Sequence, residues 1–456
     1  MKLKLRITLI LALCLLMVVT LAFYFSYSQF DLQKAESQQL SKHFTKSSQA
    51  LLKPDLEIEQ TFNNLSITSV AALAAIKINT KLQNMNFSLS EKLRSDYHSI
   101  VQYVKENLRI DLKMKVSPWS LAAGWVKPRE IHAENTPELG FVLDALVTNP
   151  IIHAGVGYKG TQLKMMLTLD GGQQVIFKPM KYYRDYVVTG LPYAGADRHN
   201  GEIAAFHLNR ILGLCRSPLT VGRLINLRAE VLPVASESLS KTFFMRENDT
   251  CFYGHCYYCS PADPACASGD LMEGAMILMF PEKYRLKKYR SPWQRTYKEA
   301  VTARWEQDFN YCDQIRKIKM YSKGNRLLDL IDASVFDYLI GNADRHHYEV
   351  FTDFPDSIVI LLDNGKSFGN PYWDELTILA PLYQCCRIRR KTYERLWTFL
   401  DHLGVSLRDI LNLDQLAPIL SQPHYESLDR RLKTIIAAID VCIEENGEEK
   451  VLVNTL

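Results

Sequence analysis

Gly341-Asn342-Ala343-Asp344-Arg345-His346-His347-Tyr348-Glu349, continued to Leu361-Leu362-Asp363-Asn364-Gly365, constrains this chain more than any other stretch. Before it, Leu327, Leu328, Leu330, Ile331, Val335, Phe336, Leu339 and Ile340 recur at helical spacing. The spacing predicts a buried helix over 326–340, stopped by Gly341. Phe354-Pro355-Asp356 reads as a turn, and the β-branched run 357–362 as a strand leading to Asp363. Acidic residues therefore stand at Asp344, at Glu349 five positions on, and at Asp363 beyond the strand. Taken singly, Asp, Asn and Gly are turn formers, and turn formation alone would account for any one of them.

A second informative half comes earlier. Gly155-Val156-Gly157-Tyr158-Lys159-Gly160 fits G-x-G-x-x-G, a pattern whose context decides its meaning. A strand at 162–169, the turn Asp170-Gly171-Gly172 and a strand at 175–178 follow, so no helix begins at the glycines. That argues against a dinucleotide-binding turn and fits a glycine loop between strands. Lys178 ends the second strand, where a fixed cation can neutralise phosphate charge; an ordinary hairpin with a solvated lysine is the alternative. A helix is predicted over 197–212, with Ile203, Phe206, Leu208, Ile211 and Leu212 on its apolar face. Asp197 suits an N-cap, yet Asp197 or Glu202 could equally face a nucleotide. In protein kinases the strand lysine and a helix acid are followed by the catalytic Asp, by an Asn five residues later, and by the D-F-G Asp that holds metal. Here Glu349 takes the place of that Asn, and Asp363-Asn364-Gly365 stands where D-F-G would.

The 456 residues leave room for a stem and one bilobal domain or two domains. A hydrophobic content of 47% with 23% charged residues indicates a folded protein, and a net charge of +4 gives no argument for nucleic acid. Lys2, Lys4 and Arg6 precede an uncharged run at 7–25, long enough to cross a bilayer. The basic side stays cytoplasmic. The expectation is a tail at 1–6, a type II anchor at 7–25 and a partly helical luminal stem at 26–115, with apolar helical patterns at 61–82 and 93–112. A cleaved signal peptide is the rival, but no clear small-x-small site ends the run. Asn64, Asn86 and Asn248 open glycosylation sequons.

Of ten cysteines, Cys14 lies in the anchor and Cys215 stands alone. Cys251, Cys256, Cys259 and Cys266 cluster; Cys312, Cys385, Cys386 and Cys442 follow. An even set in a luminal chain reads as disulfides, while the C-x-x-C spacing at Cys256 and Cys259 leaves zinc as an alternative. Adjacent Cys385 and Cys386 can hardly bond each other without strain, so each needs its own distant partner.

Several long motifs can be compared with known families. They are Gly157-Tyr158-Lys159-Gly160-Thr161-Gln162, Phe177-Lys178-Pro179, Asp197-Arg198-His199-Asn200, Cys251-Phe252-Tyr253-Gly254, the Gly341 segment and Pro381-Leu382-Tyr383-Gln384-Cys385-Cys386. Over roughly 125–445 the chain resembles the secretory-pathway kinase family that includes the Golgi casein kinase. Asp185-Tyr186-Val187-Val188, Pro192-Tyr193-Ala194-Gly195 and Lys366-Ser367-Phe368-Gly369-Asn370-Pro371 resemble the branch of that family that phosphorylates a sugar.

The resemblance implies an α+β, bilobal protein-kinase-like fold over 116–456, with an N-lobe at about 150–280 and a C-lobe at about 281–445. It implies that Gln162 and Lys178 contact ATP, that Ile277, Leu278, Met279 and Phe280 form the hinge against adenine, and that Glu349 lies in the nucleotide site. Asp344 would be the catalytic Asp, and Asp197 and Asp363 would bind metal. The family points to Mn2+, and hard oxygen ligands also admit Mg2+. Implied disulfides are Cys251–Cys266, Cys256–Cys259, Cys312–Cys385 and Cys386–Cys442. The implied acceptor is the 2-hydroxyl of xylose in the galactosyl-xylose linkage region of proteoglycans, phosphorylated in the Golgi lumen. A luminal Ser/Thr protein kinase and a pseudokinase activator are the alternatives; intact Lys178, Asp344 and Asp363 argue against the second. Two departures stand out. The casein kinase has Glu at position 197, and the family usually has Ala at position 201.

Overall fold

The glycine turn at Gly171-Gly172 and the alternating apolar residues beside it set up the first half of the fold. The structure is a computed structural model that describes residues 69–87, 91–110, 114–157, 160–298 and 301–454. The expected anchor at 7–25, the stem up to 68, Asn64, and Tyr158 and Lys159 lie outside the described residues. Strands β1 (Ile151–Val156), β2 (Met165–Leu169) and β3 (Gln173–Pro179) form an antiparallel meander. Gly171 and Gly172 turn β2 into β3 at φ +83° and +80°, a region glycine enters at little cost. With β4 (Thr220–Asn226) and a strand here called β5 (Leu271–Leu278), they make one sheet in the order β1-β2-β3-β5-β4. Leu139, Val142, Leu143 and Leu146 of the helix Leu139–Thr148 share a core cluster with Leu167, Val175, Phe177, Val221 and Met276 of this sheet.

Helix α1 (His199–Ile211) is buried at every one of its 13 residues, as a helix packed on all sides must be. Ile203, Ala204, Ala205 and Leu208 join Ala275 and Ile277 of the sheet and the apolar residues of the C-terminal lobe in a second cluster. A Cβ on Gly201 would lie 3.2 Å from the carbonyl oxygens of both Asn364 and Ser367. Glycine at this position therefore lets the helix start approach the Asp363 loop closely.

In the C-terminal lobe, α2 (Arg326–Ile340) spans the range that its apolar spacing predicts, and Gly341 closes it at φ +69°. Its buried carboxylates each meet arginine: Asp329 with Arg129 and Arg389, Asp332 with Arg216, and Asp337 with Arg345. A buried charge left without such a partner would be costly. β6 (Leu286–Arg290) pairs antiparallel with β7 (His347–Phe351). The segment 357–362, predicted as a strand, forms no ladder and makes one bridge, Ile360 with Glu349. Its backbone bonds scatter instead: Ile358 N–H goes to Pro128, Ile360 to Glu349 and Leu361 to Arg216. Burial on all sides produces the apolar run without a strand ladder to carry it.

The long helix α3 (Gln422–Asn446) closes this lobe. The helix Val70–Asn84 lies on it through Lys77–Glu445 and Lys81–Glu444, with Ile78 buried. Within Glu91–Glu106, Ile100, Val101 and Val104 enter the same cluster.

Among the described residues four disulfides cross-link the fold: Cys251–Cys266, Cys256–Cys259, Cys312–Cys385 and Cys386–Cys442. Bonding between Cys256 and Cys259 leaves no thiolate pair for zinc. Cys215 is free and buried. The bridges spanning 73 and 56 residues each stabilise by roughly 4 kcal/mol in a chain-entropy treatment. The lobes are also joined by hydrogen bonds. Asp414 Oδ2 accepts from Gly222 N–H on β4 at 2.9 Å, and Gln415 Nε2 donates to the Gly222 carbonyl at 2.8 Å. Arg184 donates to the carbonyls of Pro418 and Leu416.

Candidate active site

β3 carries Lys178 inward at its end, and three carboxylates converge on that ammonium. Asp197 Oδ2 lies at 2.7 Å, Glu202 Oε1 at 2.6 Å and Asp363 Oδ1 at 2.5 Å. Burial alone would lower the Lys178 pKa; Asp197, Asp363 and Glu202 together raise it well above the usual lysine value. Lys178, Asp197 and Glu202 are buried, whereas the Asp363 side chain is 77% exposed and opens onto the cleft. Lys178 holds the Asp363 carboxyl below the usual carboxylate range, an effect that solvent at this exposure screens. Burial pushes Glu202 upward against the pull of Lys178. Sequence alone left Asp197 and Glu202 as alternatives; both face the lysine. Asp197 caps nothing, since Arg198 holds the N-cap position of α1.

The ligand oxygens of Asp197, Glu202 and Asp363 lie within 4.8 Å of one another, a set of hard oxygen donors suited to Mg2+ or Mn2+. Asp363 itself adopts φ +56°, a left-handed conformation that Asp tolerates better than most residues and that must be held in place. Arg345 does much of the holding. It pairs with Asp337 through two bonds and donates to the Leu362 carbonyl at 2.6 Å and to Asn364 Oδ1 at 2.7 Å. From the other side the buried Arg198 donates to the carbonyls of Ser367, at 2.7 Å, and Lys366. Burial lowers the Arg198 pKa to about 10.

Gln162, at the exit of the glycine loop, accepts from Asp197 N–H at 3.2 Å and so joins this cluster. The expected hinge residues Ile277 and Leu278 end β5. Met279 N–H bonds the Gln174 carbonyl, and its own carbonyl accepts from Gln173 Nε2, so β3 already engages both its backbone groups. Phe280 packs edge-on against Phe351 at 5.1 Å. Glu349 lies on β7, which bridges Ile360 in the segment leading to Asp363. Burial raises its pKa and Asp363 adds to that rise, while Lys288 and Arg345 oppose it.

Asp344 is half-buried and makes a different kind of site. Tyr297 donates its hydroxyl to Asp344 Oδ1, and Asp344 N–H bonds Asn342 Oδ1 at 3.1 Å. Tyr193 meets the Tyr297 ring edge-on, with centroids 4.7 Å apart. The segments 185–195 and 366–371 touch each other here. Val188 N–H bonds the Gly369 carbonyl at 2.7 Å, Asn370 Nδ2 reaches the Val188 carbonyl, and Lys366 Nζ reaches that of Gly195. Burial lowers the Lys366 pKa against the attraction of Asp197, Asp344 and Asp363, so this lysine faces both halves of the cleft. Lys164 is a second such cation, lowered by burial and by Lys178 and raised by Asp363. Sequence reasoning missed Lys164, Arg345 and Tyr297 as site residues, whereas Lys366 opens a segment that it had set beside the acceptor. For Arg345 the adjacent Asp344 was a usable signal.

Sheet order, lobes and a lysine–carboxylate cluster facing an isolated aspartate define a protein-kinase-like phosphotransferase. The chain belongs to the Fam20 family: the family described as Golgi casein kinase, C-terminal, Fam20 matches residues 117–451. It is 52% identical over 396 residues to human glycosaminoglycan xylosylkinase, covering 85% of this chain and 96% of that one. To the Danio rerio glycosaminoglycan xylosylkinase it is 56% identical, over 74% of this chain and 83% of that one. The solved structure of hydra Fam20 with sugar superposes with a TM-score of 0.73 at 48% identity, covering 75% of this chain and 99% of that one. The Golgi casein kinase with Mn/ADP bound gives 0.72 at 34% identity, covering 82% and 95%.

Proposed function

We infer that this chain is an ATP-dependent glycosaminoglycan xylosylkinase, transferring the γ-phosphoryl group to the 2-hydroxyl of xylose in the linkage region of proteoglycans. The observation that carries the acceptor assignment is the junction of 185–195 with 366–371 beside Asp344. These segments resemble the sugar-phosphorylating branch, and they meet where an attacking hydroxyl would approach. Identity to two xylosylkinases supports the same reading.

Asp197, Glu202 and Asp363 would hold Mn2+, or Mg2+ by the same donor chemistry. When bound, the metal supplies neutralisation of triphosphate charge. Lys178 adds a fixed cation next to it, and Gln162 ties the glycine-loop exit to Asp197. Asp344 orients the acceptor hydroxyl and takes its proton as the new oxygen–phosphorus bond forms and the bond between the γ-phosphorus and the ADP oxygen breaks. Tyr186 and Tyr193 offer ring faces or edges to the sugar, and a rigid placement of one hydroxyl among several is what selectivity requires.

The proposal extends to place. A type II anchor at 7–25 would hold the catalytic region in the Golgi lumen, consistent with four disulfides and with exposed sequon asparagines at Asn86 and Asn248. Purified full chain, incubated with labelled ATP and Mn2+ and given galactosyl-xylose or casein, should label the sugar far above casein. Equal or greater labelling of casein overturns the reading in favour of a luminal protein kinase, and labelling of neither favours a pseudokinase.

A further inference from the structure

Tyr297 lies 47 residues before Asp344, outside both motif-bearing halves, yet it is bonded to that carboxylate. Its hydroxyl donates to Asp344 Oδ1 and sits 3.1 Å from His346 Nδ1. His346 Nδ1 also lies 2.7 Å from the Asp344 carbonyl oxygen, and the two rings cross at 86° with centroids 5.6 Å apart. A phenol has one proton to give. With that proton on Asp344, the His346 tautomer that fits carries hydrogen on Nδ1, shared between the Asp344 carbonyl and the Tyr297 oxygen. Donation thus runs from His346 through Tyr297 to Oδ1. Among the described residues nothing hydrogen-bonds to Asp344 Oδ2. The Tyr297 ring meanwhile rests against Tyr193.

We propose that Tyr297 is a positioning residue for phosphoryl transfer: it occupies Oδ1 of Asp344, leaves Oδ2 as the oxygen that takes the acceptor's proton, and ties that orientation to the Tyr193 loop. The proposal rests on Asp344 being the base. The charged and titratable groups around this triad are known from each side. Lys288 and Arg290 of β6 face the histidine pair, Lys366 faces Asp344 across the cleft, and Arg295 and Tyr193 face Tyr297. Burial, then Asp344, pushes the Tyr297 phenol upward, so it remains a donor; its bond to Asp344 raises His346. Removing the phenolic hydroxyl therefore frees Asp344 Oδ1, loosens the orientation of Oδ2 and costs turnover while leaving the nucleotide side untouched.

The test is Tyr297→Phe in the full chain, read as kcat, KM for galactosyl-xylose, ATP affinity and melting temperature. The expected result is a fall in kcat of about tenfold or more, with KM for the sugar and ATP affinity unchanged. His346→Gln, which keeps a side-chain N–H donor, should lose less. A wild-type kcat overturns the proposal, as does a loss that appears in KM instead or is explained wholly by a lower melting temperature. Asp344→Asn separates the two levels. If it is inactive while Tyr297→Phe behaves as wild type, the positioning role fails alone; if Asp344→Asn retains turnover, the reading of Asp344 fails.

Discussion

The two sides of the cleft are built on different principles. Around Lys178 a buried cation carried on a strand is fixed by three carboxylates, delivered from the segment before α1, from α1 itself and from a backbone clamped by two arginines. Around Asp344 a half-exposed carboxylate is steadied by one phenol, while two surface segments hold each other. The first arrangement is over-determined and tolerates little change. The second leaves its lining residues free to differ between relatives without disturbing the core, which is how one phosphotransfer apparatus can serve different acceptors.

The strongest way to break this contrast is to substitute on the nucleotide side. Lys178→Met should abolish turnover, by more than about a thousandfold, and should also lower the melting temperature. Removing one partner of a buried charge cluster typically costs 3–5 kcal/mol. Asp363→Ala should lose turnover as severely with a smaller fall in melting temperature: its carboxylate is largely exposed, so the lost pairing with Lys178 is screened, and alanine at φ +56° adds only a modest strain. Assays in Mn2+ alongside thermal melts check both. Active Asp363→Ala protein would remove the metal-binding assignment.

A smaller effect is expected on the acceptor side. Replacing 185–195 by the corresponding casein-kinase segment should cut the preference for galactosyl-xylose over casein by about tenfold or more, with ATP affinity unchanged. Unchanged selectivity would place the discrimination elsewhere.

The third measurement sharpens the contrast through pH. His132 packs against Phe206 of α1 on the nucleotide side, and His424 Nε2 bonds the Phe368 carbonyl on the acceptor side. Burial lowers each pKa from the usual 6.5 to about 4. Between those values the unfolded chain binds more protons than the folded one. Stability is therefore complete above about pH 6.5 and falls as pH drops towards 4, by up to about 3 kcal/mol per histidine. Chemical denaturation across this range, with His424→Gln for comparison, should show the slope and its partial loss. A flat profile would mean that neither ring is held neutral.

Much of the frame around both sides was legible in the sequence because its signals are local. Helical spacing located α2, and the glycine turn located the β2–β3 hairpin with Lys178 at its end. The adjacency of Cys385 and Cys386 demanded two distant partners, and Cys312 and Cys442 are those partners. What stayed hidden depends on contacts far apart in the chain. No periodicity joins Tyr297 to Asp344, Lys366 to Gly195 or Arg198 to Ser367. The segment 357–362 was misread for a related reason: an apolar β-branched run reports burial, and whether a neighbouring strand supplies the bonds is decided elsewhere.

The bonds that Asp414, Gln415 and Arg184 make across the lobes set a limit on how the cleft can breathe. Rotating one lobe from the other severs these bonds first, at about 1 kcal/mol each and so about 4 kcal/mol together. An open form would then be populated by about one molecule in a thousand. Any inhibitor shaped for the open cleft would bind about a thousandfold more weakly than its fit suggests, whereas one that enters the closed cleft would meet no such discount.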